Sequence, residues 1–119
     1  MSEGRLADYI EHILEASRLA LSYVEGMDVS GFLVDKRTQQ AVILNILVIG
    51  EAATKIANEY PEFIGRHPEV PWKSMKGMRN RIAHGYFDIN LDIVWNTVQT
   101  ALPPLTAQIQ QLQQDDAQP

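Results

Sequence analysis

The chain has 119 residues, the length of one ordinary domain, which argues against two independent cores or a large multidomain enzyme. With 45% hydrophobic and 21% charged residues and a net charge of -5, it falls among globular chains rather than charge-extended disordered ones. The absence of cysteine excludes disulfides, thiolate metal sites and cysteine nucleophiles, and a pI near 5.0 means that any nucleic-acid role must rest on a local basic site.

The N-terminus MSEGRLADYI carries charge where a signal peptide needs an apolar core, and no apolar run approaches the roughly 18 residues that span a bilayer. A soluble cytoplasmic protein with no membrane partner is the expectation. Leu6, Ile10, Ile13, Leu14, Leu21 and Val24 recur at three-and-four spacing, which predicts an amphipathic helix ending near Gly26. Met27 to Val34 reads as a connector holding one short turn. Asp35 can cap a second helix through its carboxylate. That helix carries an apolar block from Ala41 to Ile49, interrupted only by Asn45, and continues through Ile56. The block is strand-like by itself, but Gln39, Glu51 and Lys55 extend it beyond strand length as good helix formers. A helix apolar nearly all round needs neighbours on more than one side, either within the bundle or from a second subunit.

Pro61, Pro68 and Pro71 punctuate the next stretch. Pro71 can start a third helix running through Trp72, Met75, Met78 and Ile82 to about Gly85. Asn90 can cap a last helix bearing Leu91, Val94, Trp95, Val98, Leu102, Leu105, Ile109 and Leu112, which Pro103 and Pro104 must kink or split. The sum is an all-α, up-down bundle of four main helices with short extra turns: one domain over residues 1–112 and a flexible polar tail over residues 113–119.

Chemistry concentrates in Gly77-Met-Arg-Asn-Arg-Ile-Ala-His-Gly-Tyr86. On a helix at about 100° per residue, Asn80 and His84 lie roughly 40° apart, and Arg79 projects among Met75, Ile82 and Ala83. A guanidinium in that apolar sector must be paired inside, reach a groove or meet a subunit interface. A histidine can take and return a proton, an arginine can hold two phosphate oxygens, and an asparagine can fix either. This set suits RNA cleavage by the neighbouring 2′-hydroxyl, which requires no metal. One histidine is sparse for acid and base together, and a symmetric dimer would supply two. Spacing alone equally allows these residues to cap and solvate a helix end, where the dipole favours cations.

Other groups have plainer readings. Asp8, His12 and Glu15 share helical spacing, but a bundle di-metal site needs Glu-x-x-His on two helices and no second copy exists. No metal is expected. His67 reads as a loop residue, Trp72 and Trp95 as packing residues, and Asn45 as a hydrogen-bonding group in the core or across an interface. Glu51, Lys55 and Asn58 form a polar stripe that is either solvated or lines a dimer cleft.

Arg79-Asn80 followed by His84 and Tyr86 resembles the R-x4-H-x-Y motif of HEPN ribonucleases of the HepT type. The likeness extends to Arg37-Thr-Gln-Gln-Ala-Val, Ile49-Gly-Glu-Ala-Ala53, His67-Pro-Glu-Val-Pro-Trp72 and Val94-Trp95 through Leu102-Pro-Pro-Leu105, over roughly residues 5 to 110. The resemblance implies a HEPN helical fold and a homodimer with the motif lining a cleft. It further implies metal-independent RNA cleavage, with no cofactor, by the toxin of a toxin-antitoxin pair. By matching positions, Arg79 and His84 would be catalytic, Asn80 supporting, and Tyr86 the hydroxyl adenylylated by a minimal nucleotidyltransferase antitoxin. Arg81, Lys76 and Lys73 would offset the acidic whole by converging on the RNA. Two other readings stay open at this point: a non-catalytic helical module that partners a nucleotidyltransferase or binds nucleotide, and a purely structural dimer.

Overall fold

In the computed structural model, which describes residues 2–83, 85 and 87–117, the first apolar stripe forms α1 (Ser2–Tyr23). Its buried face is Ile10, Ile13, Leu14, Ala16, Ser17 and Ala20, the three-and-four spacing of the sequence turned into one packed surface. Gly26 adopts φ +80°, the left-handed conformation that lets the chain turn away below the helix. The connector then holds the expected short turn, α2 (Val29–Leu33), started by Asp28, whose carboxylate accepts the Gly31 N–H at 2.8 Å.

α3 (Lys36–Glu59) is the central helix. Asp35 caps it as expected, accepting the Thr38 N–H at 3.1 Å and the Thr38 hydroxyl at 2.8 Å. Val42, Ile46, Ile49, Ala52, Ala53 and Ile56 are buried against α1 on one side and α5 (Trp72–Ile82) on the other. Of the two roles open to Asn45, the structure shows the internal one: its side-chain amide donates to the Ala41 carbonyl of its own helix at 2.8 Å. Gln39 donates to the Phe32 carbonyl at 2.9 Å and ties α2 to α3. Leu44 remains 61% exposed, so the bundle leaves one flank of this apolar helix uncovered. By length and composition α3 could cross a membrane, with an 18-residue window of mean hydropathy 1.4, which corrects the expectation that no apolar run approaches that length. Here its apolar surface serves as the core of the bundle.

α4 (Pro61–Arg66) is a short extra turn with Pro61 in its first position. His67 follows it in the loop as expected, but its backbone is structural: its carbonyl accepts the Trp72 indole N–H at 3.0 Å while Phe63 packs on its ring at 4.6 Å. Trp95 packs on Phe32 at 5.4 Å. Both tryptophans therefore sit in packing contacts. Pro71 is the residue before α5 rather than its first, and its carbonyl accepts the Met75 N–H at 3.0 Å.

The last stretch is split as its prolines require. α6 (Leu91–Asn96) is capped by Asn90, whose side chain accepts the Ile93 N–H at 3.1 Å. A π-helical turn over Thr97–Ala101 leads into α7 (Leu102–Ala117). The Leu102 N–H donates to the Thr97 carbonyl, a five-residue reach that widens the helix just before Pro103 and Pro104. Both prolines then fall in the first turn of α7, where a missing N–H costs least. Ser17 and Thr106 share a short hydrogen bond that joins α1 to α7, and since the Thr106 hydroxyl donates to the Leu102 carbonyl, Ser17 is the donor to it. α7 runs to Ala117, past the Gln113 at which the flexible tail was expected to begin, and the Gln113 amide contacts the Glu11 carboxylate. The architecture is an all-α bundle of α1, α3, α5 and the split α6–α7.

Candidate active site

The polar motif begins on the last turn of α5. Met75, Met78 and Ile82 face the core, leaving Lys76, Arg79, Asn80 and Arg81 exposed. Arg79 is exposed and lines a groove, one of the three placements open to it. That groove, of about 510 Å³, runs between α1, α3 and α5 and is lined by Tyr9, His12, Glu51, Lys55, Lys76 and Arg79 over a floor that includes Leu47, Val48 and Ala52. Lys76 and Arg79 are one turn apart on α5, and Glu51 and Lys55 one turn apart on α3. The polar stripe of the central helix therefore lines a cleft, except Asn58, which is exposed and not on the groove wall. Lys73 and Arg81, exposed on α5, are also not on the wall.

Three cations against one carboxylate make the groove locally positive on a chain of net charge -5. The helix end contributes nothing to this, since a helix C-terminus carries partial negative charge; the side chains must reverse its sign before an anion can settle there. At the α1 end, Tyr9 donates to Glu59 at 3.3 Å, and Arg5 approaches the same carboxylate at 3.7 Å. Burial and the neighbouring Glu59 charge hold the Tyr9 phenol above its ordinary pKa, so it stays a neutral donor.

α5 ends earlier than expected. Ala83, at φ -154° and ψ 145°, is extended and forms an antiparallel bridge with Ile89, while the Asn90 N–H donates to the Ile82 carbonyl at 2.7 Å. The loop closes on the helix end, and the expected pairing of Asn80 with His84 falls outside the described residues. The bridge to Ile89 pairs the backbone of Ala83 outside the helix, through a return of the chain that helical spacing does not show. The expected catalytic His84 and the expected modification site Tyr86 lie outside the described residues. Among the described residues no cluster of three histidine and carboxylate side chains is arranged to hold a metal ion. What sequence reading missed is the α1 wall: Tyr9 and His12 line the same groove as Arg79 only because α1 and α5 both pack on α3.

A family model described as "Ribonuclease HepT-like" matches residues 13–112. The chain belongs to the ribonuclease HepT-like family. A "Probable ribonuclease HepT" of Thermococcus cleftensis is 37% identical over 105 residues, 88% of this chain and 93% of the relative. A "Putative RNase" of Caldanaerobacter subterraneus subsp. tengcongensis is 32% identical over 91% of this chain and 94% of its own length. Another "Putative RNase", from Methanocaldococcus jannaschii, is 36% identical over 90% of this chain and 86% of its own length. No solved structure matches the chain. In this HepT-like chain, the matched region contains the whole of α3 and α5 and with them the cationic wall of the groove. Chemically, that wall can hold a phosphodiester against a floor apolar enough to seat a base.

Proposed function

We propose that this protein is a metal-independent endoribonuclease that acts as a homodimer and is the toxin of a toxin-antitoxin pair. The observation that carries the reading is the groove: Arg79, the arginine of the R-x4-H-x-Y motif, lies with Lys76 and Lys55 in a cleft of nucleotide size on an acidic protein. Arg79 holds the scissile phosphate and stabilises the charge that grows on its oxygens, and His84 transfers a proton. Asn80 supports the pair, while Lys76, Arg81 and Lys73 guide the flanking backbone. The uncovered flank of α3 around Leu44 favours a second copy as its cover. Tyr86 is the hydroxyl that a minimal nucleotidyltransferase adenylylates; the added nucleotide beside Arg79 and His84 blocks the cleft and repels RNA.

The test is RNA cleavage in chelator by protein expressed without and with its neighbouring nucleotidyltransferase, each sample first weighed intact. Cleavage by the unmodified protein is expected to fall roughly 10²-fold or more in Arg79→Ala and in His84→Ala. The co-expressed sample is expected to be inactive and heavier by adenylyl groups on Tyr86. Unmodified protein that cuts no RNA sinks the enzymatic reading.

A further inference from the structure

The groove holds one group that phosphate binding does not explain. Glu51 lines it as a carboxylate, and a negative charge beside a phosphate path weakens the hold of the cations around it. Those cations do not neutralise it by direct contact. Lys55 stands at the four-residue spacing where a glutamate and a following lysine commonly pair, yet Glu51 forms no ion pair or hydrogen bond among the described residues. The hydroxyls on the groove are already committed as donors, Tyr9 to Glu59 at 3.3 Å and Thr54 to the Gly50 carbonyl at 2.9 Å. Glu51 is exposed and sits one helical turn, about 5.4 Å, from the floor residues Leu47 and Val48 on one side and from Lys55 on the other. An apolar seat, an acceptor and a cation therefore follow one another along a single face of α3.

We propose that Glu51 is a specificity residue that reads an unpaired guanine, its two oxygens accepting the N1–H and N2–H of the base while the ring lies on the Leu47–Val48 floor and the adjoining phosphates meet Lys55 and Lys76. The choice of base follows from donor count. An ionised carboxylate only accepts, and it is best matched by two adjacent donors. Guanine presents two side by side on its Watson–Crick edge. Adenine and cytosine present one amine next to a ring nitrogen that itself accepts, and uracil one N–H between two carbonyls, so each sets an acceptor against the carboxylate. That edge is free only in a single strand, which makes guanosine in single-stranded RNA the substrate class of the groove. The proposal rests on the ribonuclease reading for its polymer. Acceptor and floor both belong to α3 of one chain, so the seat asks nothing of His84 and is compatible with a cleft whose far side a second subunit completes.

The experiment measures binding of short, non-cleaved, 2′-deoxy-substituted oligouridines carrying one central guanine, hypoxanthine, adenine or cytosine, with unmodified wild type and Glu51→Gln, beside cleavage of the all-ribose strands. Wild type is expected to bind the guanine strand about tenfold or more tighter than the others, with hypoxanthine, which lacks the N2 amine, in between. In Glu51→Gln the preference for guanine should fall below about threefold and turn toward adenine and cytosine, whose donor-and-acceptor edges match an amide. The uridine-only strand should bind that variant no more weakly, since a negative charge leaves the phosphate path, and the melting midpoint should stay unchanged because Glu51 is exposed. A wild type without preference for guanine, or a preference that survives Glu51→Gln, overturns the inference, and cleavage of the ribose strands by the same samples then leaves the ribonuclease reading standing. Guanine-selective binding by protein that cuts nothing upholds the seat and overturns the ribonuclease reading. Protein that binds none of the strands overturns both.

Discussion

Asp35 shows how one carboxylate sets both a boundary and a pH response. The Thr38 N–H and hydroxyl hold its carboxyl below the ordinary aspartate pKa, the backbone N–H being the larger cause. A depressed folded pKa means that the cap stabilises α3 fully above the unfolded value near pH 4 and loses that contribution as pH falls through the lower folded value. Asp35→Ala is therefore expected to lower the melting midpoint clearly at pH 7 and much less at pH 3. Parallel melts at the two pH values check it, and an equal gap at both would show that the ionised carboxylate is not what caps the helix. Asp35 and Asn90 were legible in the sequence because a cap depends on the next three residues alone. His12 was not legible as part of the groove wall, because nothing local links it to Arg79.

Among the elements, the contact of α3 with α5 decides where the cationic wall stands. Gly50 allows it: a Cβ there would sit 3.2 Å from the Met75 carbonyl oxygen of α5. A mid-helix glycine costs about 1 kcal/mol relative to alanine, so close approach is the reason to keep it. Gly50→Ala regains that amount but pushes on a backbone atom, and α5, with Lys76 and Arg79, has to withdraw by a few tenths of an ångström. Stability is expected to stay within about 1 kcal/mol of wild type, while cleavage falls about tenfold as the phosphate contact loosens. Thermal melts beside single-turnover rates separate the two effects; unchanged cleavage would mean that α5 does not need its present seat. The existence of the four main helices was readable from apolar spacing, and the break in the last of them from Pro103 and Pro104. The end of α5 was not. Gly85 looked like the stop, yet the pairing of Ala83 with Ile89 ends the helix sooner, through a contact made only when the chain returns.

At the scale of the whole molecule, a chain of net charge -5 is proposed to bind a polyanion, and the resolution is distance. The protein extends 47 × 28 × 23 Å, about two to five times the roughly 10 Å over which 0.1 M salt screens exposed charges. Carboxylates far from the groove therefore weigh little on a phosphate that sits beside Lys55, Lys76 and Arg79. Three such contacts to single-stranded RNA predict that log affinity falls against log salt with a slope of about -2 per groove. The measurement is binding of a non-cleaved, 2′-deoxy-substituted RNA by His84→Ala protein over a salt series, repeated with Lys55→Gln and Lys76→Gln. Each substitution should flatten the slope by about 0.7, because each removes one phosphate neutralised. The same flattening from Lys36→Gln, at the start of α3 and off the groove wall, would carry the RNA path beyond the groove. A slope near zero in the parent protein would mean that the groove takes its ligand through the apolar floor and Glu51 instead, and that its cations serve the fold rather than RNA.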